Sequence, residues 1–284
     1  MIIDAHTHIF PPAIKANRRG WLVRDAGFRA IYAPPRARIA TAEDLVASMD
    51  QAGIDVSVAL NFGWASHDLC VQTNTSIIEA VRRYPDRLVG FGMVYPPAGA
   101  AAVAELQRCA DAGLRGIGEL RPDDQGFALD DARLLDPLMR VMLDYDMIVL
   151  SHASEPVGHP YPGKGRVSLE SVYALVTRYP DLRVIMAHWG GGLPFYALMP
   201  EMQVALGNVW FDTAASPYLY RNEVFRVVAE LVGGEKILFA SDYPLMPQSR
   251  MLALIASLEL APADRDRILG GNAQRLLWGE RADA

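Results

Sequence analysis

Short apolar segments alternate with longer segments of helical periodicity along the whole chain, and this alternation constrains the fold more than any other feature. Most of the apolar segments are almost continuously hydrophobic, which is typical of parallel strands covered on both faces. The segments between them repeat apolar residues every three or four positions, as amphipathic helices do. Strands are therefore expected over residues 1–8, 55–61, 88–95, 114–120, 147–154, 183–190, 209–215 and 236–242.

This number of strand–helix units in 284 residues predicts an α/β fold, a single (β/α)8 TIM barrel domain over residues 1–284. A doubly wound open sheet is the alternative, because alternation alone does not show whether the sheet closes. No GxGxxG motif follows the first strand, which weakens that alternative. The last segment, ADRDRILGGNAQRLLW, predicts an extra C-terminal helix, which we expect on the outside of the barrel.

Histidine and acidic residues stand at the ends of several expected strands. In a closed barrel the carboxyl ends of the strands converge on one small region, where active sites of such barrels lie. His6 and His8 are two residues apart, so their side chains share one side of a strand and can approach one metal ion. The residues at strand ends are His6, His8, Glu119, His152, His188, Asp212 and Asp242.

The segments MIIDAHTHIF, IVLSHAS, VIMAHWGGGLPF, ILFASDYP and ILGGNAQRLL resemble the amidohydrolase superfamily, in the branch that includes aminocarboxymuconate semialdehyde decarboxylase and the resorcylate decarboxylases. The resemblance covers the whole chain. It implies a distorted barrel with a divalent metal at its mouth, most often Zn²⁺, with Mn²⁺ as the alternative. By position, His6, His8, His152 and Asp242 match the ligands of single-metal members. His188 matches an unligated histidine that assists proton transfer.

Glu119 leaves the number of metal ions open. In GIGELRP it lies where TatD-like relatives carry a glutamate that bridges two metals. In that arrangement His152 and His188 would bind the second ion. The other interpretation is an ion pair of Glu119 with Arg121 or Arg115 at the barrel rim.

The leading functional prediction is a metal-dependent hydrolase. A metal-activated water would attack an ester, lactone or amide of a small carboxylate-bearing substrate, Asp242 would accept the proton, and His188 would steady the oxyanion or shuttle a proton. The alternative is a non-oxidative decarboxylase of a small unsaturated or aromatic carboxylic acid. Fold and metal site alone do not distinguish these reactions. A non-catalytic binding protein is disfavoured, because every expected ligand is present.

Three further residues are candidates for substrate contact, each with an ordinary structural interpretation beside it. Trp189 would line the pocket or pack in the core, and Asp212 would orient a ligand or accept backbone hydrogen bonds. His159 would contact substrate or be solvated. Residues 9–40 hold seven basic residues against Asp25 alone, which favours an anionic small-molecule substrate. These basic groups could equally pair with acidic helices or with a second subunit.

The overall charge and hydropathy argue against other partners. A net charge of −6 gives no basic footprint for nucleic acid. No apolar run approaches the ~18–20 residues that cross a membrane. Without the features of a signal peptide at the N-terminus, a cytoplasmic enzyme is expected. The resemblance also allows a homodimer, since barrels of this family often dimerise.

Overall fold

The computed structural model describes residues 1–279, and its centre is a single parallel sheet in which each strand pairs with the next along the chain. Backbone hydrogen bonds from Ala5 to Phe239 (2.9 Å) and from Asp242 to His6 (3.0 Å) join the segment that follows the last strand to the first strand. The sheet therefore closes, and the predicted TIM barrel is confirmed. The strands are β1 (Ile3–His8), β2 (Val56–Leu60), β3 (Leu88–Gly92), β4 (Gly116–Leu120), β5 (Ile148–Ser151), β6 (Arg183–Met186), β7 (Val209–Asp212) and β8 (Ile237–Leu238).

Helices surround the barrel and also cover both of its ends. Several begin with a side chain that accepts a hydrogen bond from the first turn, such as Thr41 and Ser168. No helix within residues 1–279 is both long and apolar enough to cross a membrane. The α-helices are Pro12–Ala16, Arg18–Leu22, Ala26–Tyr32, Ala42–Ala52, His67–Arg83, Ala100–Asp111, Pro122–Gln125, Ala132–Asp144, Leu169–Arg178, Pro200–Ala205, Ser216–Leu219, Val224–Val232, Gln248–Ser257, Pro262–Asp266 and Asn272–Trp278.

The extra C-terminal helix is present, but it closes the bottom of the barrel rather than lying on its outside. Ala273, Leu276 and Leu277 are buried and belong to the same apolar cluster as the inward-facing strand residues. Two arginines at the amino ends of strands hold the helix there. Arg183 donates to the Leu276 carbonyl (2.7 Å), and Arg115 donates to the Leu277 carbonyl (2.5 Å). The barrel is thus filled from below, and its polar residues are confined to the opposite end, the mouth.

Residues 9–41 form a cap beside the mouth. Its short helices are fixed by aromatic packing, with Phe28 stacked on Tyr32 (ring centroids 4.7 Å apart). Two basic residues of the segment hold it in place. Lys15 pairs with Asp44 of the following helix (2.6 Å), and Arg18 donates to the Ala37 carbonyl within the cap (2.6 Å). These two cations are therefore engaged in holding the cap.

Candidate metal centre

The polar strand-end residues converge at the mouth as predicted from their positions. His6 and His8 lie in β1, Glu119 in β4 and Asp212 in β7. The other three lie in the segments that follow β5, β6 and β8. All of them are buried, because the cap and the loops after the strands cover this end of the barrel. Their exposed fractions are 0% for His6, 4% for His8, 3% for Glu119, 4% for His152, 7% for His188, 0% for Asp212 and 9% for Asp242.

The first group of donor atoms surrounds the two histidines of β1. The Nε2 atoms of His6 and His8 are 3.1 Å apart. Glu119 Oε2 lies 3.9 Å from His6 Nε2 and 3.6 Å from His8 Nε2. Asp242 Oδ1 lies 3.8 Å and 3.7 Å from the same two nitrogens. Donors bound at ~2.0–2.2 Å in a tetrahedron are separated by about 3.4 Å, so the separation of each carboxylate from the two histidines suits one divalent cation.

Asp212 fixes which nitrogen of His6 faces this centre. Its Oδ2 lies 2.8 Å from His6 Nδ1, and its Oδ1 accepts from the backbone N–H groups of His188 (2.9 Å) and Ala214 (3.0 Å). Burial alone would raise the pKa of Asp212, but His6 beside it brings that pKa below its ordinary value. The carboxylate therefore holds a proton on His6 Nδ1 and leaves the Nε2 lone pair for a cation.

Glu119 presents its second oxygen to a second group. Its Oε1 is 2.7 Å from His152 Nδ1 and 3.4 Å from His188 Nε2. Burial opposes ionisation of Glu119, yet His152 and the other surrounding histidines hold its pKa well below the ordinary value. Burial also lowers the pKa of His188, but the hydrogen bond to Glu119 outweighs it and raises that pKa to about 10. The carboxylate thus lies between two sets of ring nitrogens.

His152 is held differently from the β1 histidines. Its Nδ1 faces Glu119, and its Nε2 is 2.8 Å from the Ser154 hydroxyl. Burial, with the positive charge of Arg121 close by, lowers the pKa of His152 to about 4. The structure therefore places His6, His8 and Asp242 of the predicted single-metal set close together, with Glu119 beside the two histidines. His152, the fourth member of that set, contacts the other oxygen of Glu119.

Arg121 also belongs to this site. The sequence interpretation considered it only as a rim partner of Glu119, but its side chain is just 6% exposed and its Nη1 lies 3.9 Å from Glu119 Oε2. Arg115, the other suggested partner, binds the C-terminal helix at the opposite end of the barrel. The motif GELRP contained the signal, since an arginine two residues after an inward glutamate can point into the same site.

Asp4 was also missed, although it stands in the DAHTH motif. It accepts hydrogen bonds from the Ser241 backbone (3.0 Å), the Ser241 hydroxyl (2.6 Å) and the Gln248 side chain (2.9 Å). Burial raises its pKa to about 6. Asp4 thereby ties β1 to the segment that carries Asp242. An acidic residue inside a buried apolar run was the signal available in the sequence.

Two of the predicted substrate contacts lie away from the metal-donor atoms. Trp189 is fully buried, donates to the Ser216 hydroxyl (2.7 Å) and packs against Phe225. His159 is exposed in the loop after β5, beside the ring of Tyr161. The substrate roles of these residues stay predictions.

Comparison with known proteins gives the family. The amidohydrolase family model matches residues 3–278. The chain belongs to this family. It is 27% identical over 338 residues to 2-amino-3-carboxymuconate-6-semialdehyde decarboxylase of Dictyostelium discoideum, covering 97% of this chain and 91% of that protein. It is 24% identical over 298 residues to gamma-resorcylate decarboxylase of Polaromonas sp., covering 85% and 89%.

Solved structures of low identity share the fold. The 5-carboxyvanillate decarboxylase of Sphingomonas paucimobilis superposes with a TM-score of 0.80 at 18% identity, over 97% of this chain and 98% of the other. The enzyme of the same name from Novosphingobium aromaticivorans, complexed with manganese and 4-hydroxy-3-methoxy-5-nitrobenzoic acid, gives a TM-score of 0.77 at 19% identity, over 98% and 96%.

These comparisons correct the leading functional prediction. The expectation of a hydrolase acting on an ester, lactone or amide is wrong, because the two relatives and the two solved structures described above are decarboxylases. The expectation of an enzyme with a divalent metal is supported by the manganese-bound neighbour together with the His and Glu donor groups. The geometry of the donors is common to both reactions, which is why the residues alone favoured the wrong one.

Proposed function

We propose that this protein is a metal-dependent, non-oxidative decarboxylase of a small unsaturated or aromatic carboxylic acid. The observation that carries the proposal is the buried donor group of His6, His8 and Glu119, with Asp242 beside both histidines, in a chain similar over 97% of its length to a decarboxylase. The predicted preference for an anionic small-molecule substrate is part of this proposal.

One divalent ion is proposed at the first donor group, held by His6, His8, Asp242 and Glu119 Oε2. Two imidazoles and two carboxylates suit both Zn²⁺ and Mn²⁺. When bound, such an ion supplies a Lewis acid that holds a substrate oxygen and stabilises negative charge that develops during the reaction. His152 acts from behind by binding Glu119, in place of the ligand role that the family resemblance implied.

The second group consists of Glu119 Oε1, His152 and His188. Its donor atoms are close enough together for a second ion, as in the two-ion arrangement. Arg121 argues for a single ion, since its Nη1 is 3.3 Å from His152 Nδ1 and already places a positive charge there. A second divalent cation beside this guanidinium would be repelled in a buried, weakly screened environment. The geometry therefore favours one ion with Arg121 next to it.

Asp242 is proposed to deliver the proton that replaces the lost carboxylate. The carbon–carbon bond breaks, CO₂ leaves, and the electron pair left on the substrate carbon takes a proton from the Asp242 carboxyl. Asp242 suits this role because its side chain is 12% exposed, against 4% for Glu119 and 0% for Asp212. His188 lies next to Glu119. Its proposed role in proton transfer is to protonate Asp242 again after each turnover.

The test is release of CO₂ by the metal-loaded protein. The acids to supply are 5-carboxyvanillate, 2,6-dihydroxybenzoate and 2-amino-3-carboxymuconate 6-semialdehyde, with product identified by chromatography. Asp242→Asn should abolish turnover while keeping the fold, and Asp136→Asn, an exposed carboxylate away from the mouth, is the matched control. Protein that contains its metal but releases no CO₂ from any of these acids would contradict the proposal.

A further inference from the structure

In the proposed reaction Arg121 serves only as a positive charge beside the metal-donor group. Its guanidinium is nevertheless buried in the mouth of the barrel. Its side chain is 6% exposed. Burial of an ionised group is costly unless the charge is well compensated. The contacts of Arg121 show how it is held and which of its donors remain for another molecule.

Four contacts fix the orientation of Arg121. Nε donates to Asp124 Oδ2 (2.6 Å), Nη2 donates to the Gly163 carbonyl (2.8 Å), and the backbone N–H donates to Gln125 Oε1 (3.0 Å). The aliphatic part lies against Gly63, where a Cβ would come within 2.8 Å of the Arg121 Cβ and Cγ. These contacts occupy the stem and two of the three nitrogens, and they turn Nη1 toward the metal centre.

Nη1 has no acceptor of its own in the described chain. Among residues 1–279, His152 Nδ1 at 3.3 Å is the polar atom within hydrogen-bond distance of it, and Glu119 Oε2 is 3.9 Å away. The 2.7 Å contact of His152 Nδ1 with Glu119 Oε1 requires the proton to be on Nδ1. A protonated ring nitrogen cannot accept from Arg121. The two N–H groups of Nη1 are therefore left for a ligand.

We infer that Arg121 Nη1 binds a carboxylate oxygen of the substrate, one that the reaction retains rather than the one that leaves. The inference rests on the proposed function and narrows its substrate class to small acids with two carboxylates. An arginine provides directed, charge-assisted hydrogen bonds to such a group. Its closeness to Glu119 places this subsite directly beside the metal-donor group, within reach of one small substrate.

Binding of a matched pair of ligands tests the inference. Mn²⁺-loaded protein is titrated calorimetrically with 4-hydroxy-3-methoxy-5-nitrobenzoic acid and with its methyl ester, in which a methyl group replaces the carboxylate charge. The acid is expected to bind about tenfold more tightly or better, since a hydrogen bond between charged groups is lost in the ester. In Arg121→Gln this preference should disappear. Arg166→Gln, which removes an exposed arginine of the loop after β5, should keep it.

Equal binding of acid and ester by the wild-type protein would overturn the inference, and this result needs no variant to fold. A preference that persists in Arg121→Gln would overturn it as well. Gly63→Ala offers a second variant, because the added methyl group displaces the Arg121 stem and should reduce the preference with the charge still present. Release of CO₂ is measured separately. Turnover without discrimination between acid and ester refutes only the Arg121 subsite, and discrimination without turnover refutes only the decarboxylase.

Discussion

Asp212→Asn should weaken metal binding without removing any proposed ligand. The side chain contacts His6 Nδ1 at 2.8 Å and two backbone N–H groups at 2.9 and 3.0 Å. The asparagine oxygen can serve the backbone donors, but its NH₂ group then faces His6 and favours the tautomer with the proton on Nε2. That proton blocks the atom that faces the metal. Loss of such a supporting contact reduces affinity about 10–100-fold, or roughly 1.4–2.7 kcal/mol.

The measurement is a chelator competition with Zn²⁺ or Mn²⁺ on wild-type and variant protein, with a thermal melt of each metal-free form to show that both are folded. Asp136→Asn makes the same chemical change at an exposed position and should leave the metal affinity unchanged. A folded Asp212→Asn protein that keeps wild-type affinity would show that Asp212 does not set the His6 tautomer, and the reasoning on the first donor group would fail.

Three further outcomes are expected. Elemental analysis should find one divalent ion per chain, and Glu119→Gln should lower its retention; two ions in the wild type, with one lost in Glu119→Gln, would restore the two-ion arrangement. Burial raises the pKa of Asp4 from 3.8 to about 6, so the folded state holds this proton more tightly. As pH rises from 3.8 to about 6, the metal-free wild type should lose about 3 kcal/mol of unfolding free energy relative to Asp4→Asn. Urea denaturation measures both proteins across this range, and the same pH dependence of stability in the two would contradict the prediction. Leu276→Ala should cost about 2–5 kcal/mol in the same assay with metal affinity intact, and a smaller loss would show that the barrel bottom does not depend on this helix.

The barrel could be predicted because its signals are local. Continuous apolar runs and helical periodicity mark each strand–helix unit. The exact strand ends were not predicted, since β6 ends at Met186 rather than 190 and β8 at Leu238 rather than 242. The position of the C-terminal helix is a tertiary property, since ADRDRILGGNAQRLLW is amphipathic whether it packs outside the barrel or beneath it. Contacts of Leu276 and Leu277 with the interior decide between the two, and no spacing in the sequence shows them.

The candidate site was predictable in its residue types and only partly in its connections. His6, His8 and Asp242 meet as their strand positions indicated. Whether Glu119 or His152 joins them depends on side-chain directions at the end of β4, where the pairing register with β5 is irregular. The burial of Arg121 was not predicted, because a charged residue after a strand usually lies on the surface. Only the loops around it show that it is enclosed.

The helix beneath the barrel determines where substrate can enter and product can leave. With Leu276 and Leu277 packed into the lower end, small molecules have no passage along the barrel axis within the described chain. Whatever enters over the metal-donor group must leave by the same opening, past the cap and the loop after β5. The rate of product release through this opening would then limit turnover. A product that dissociates slowly would compete directly with the next substrate molecule.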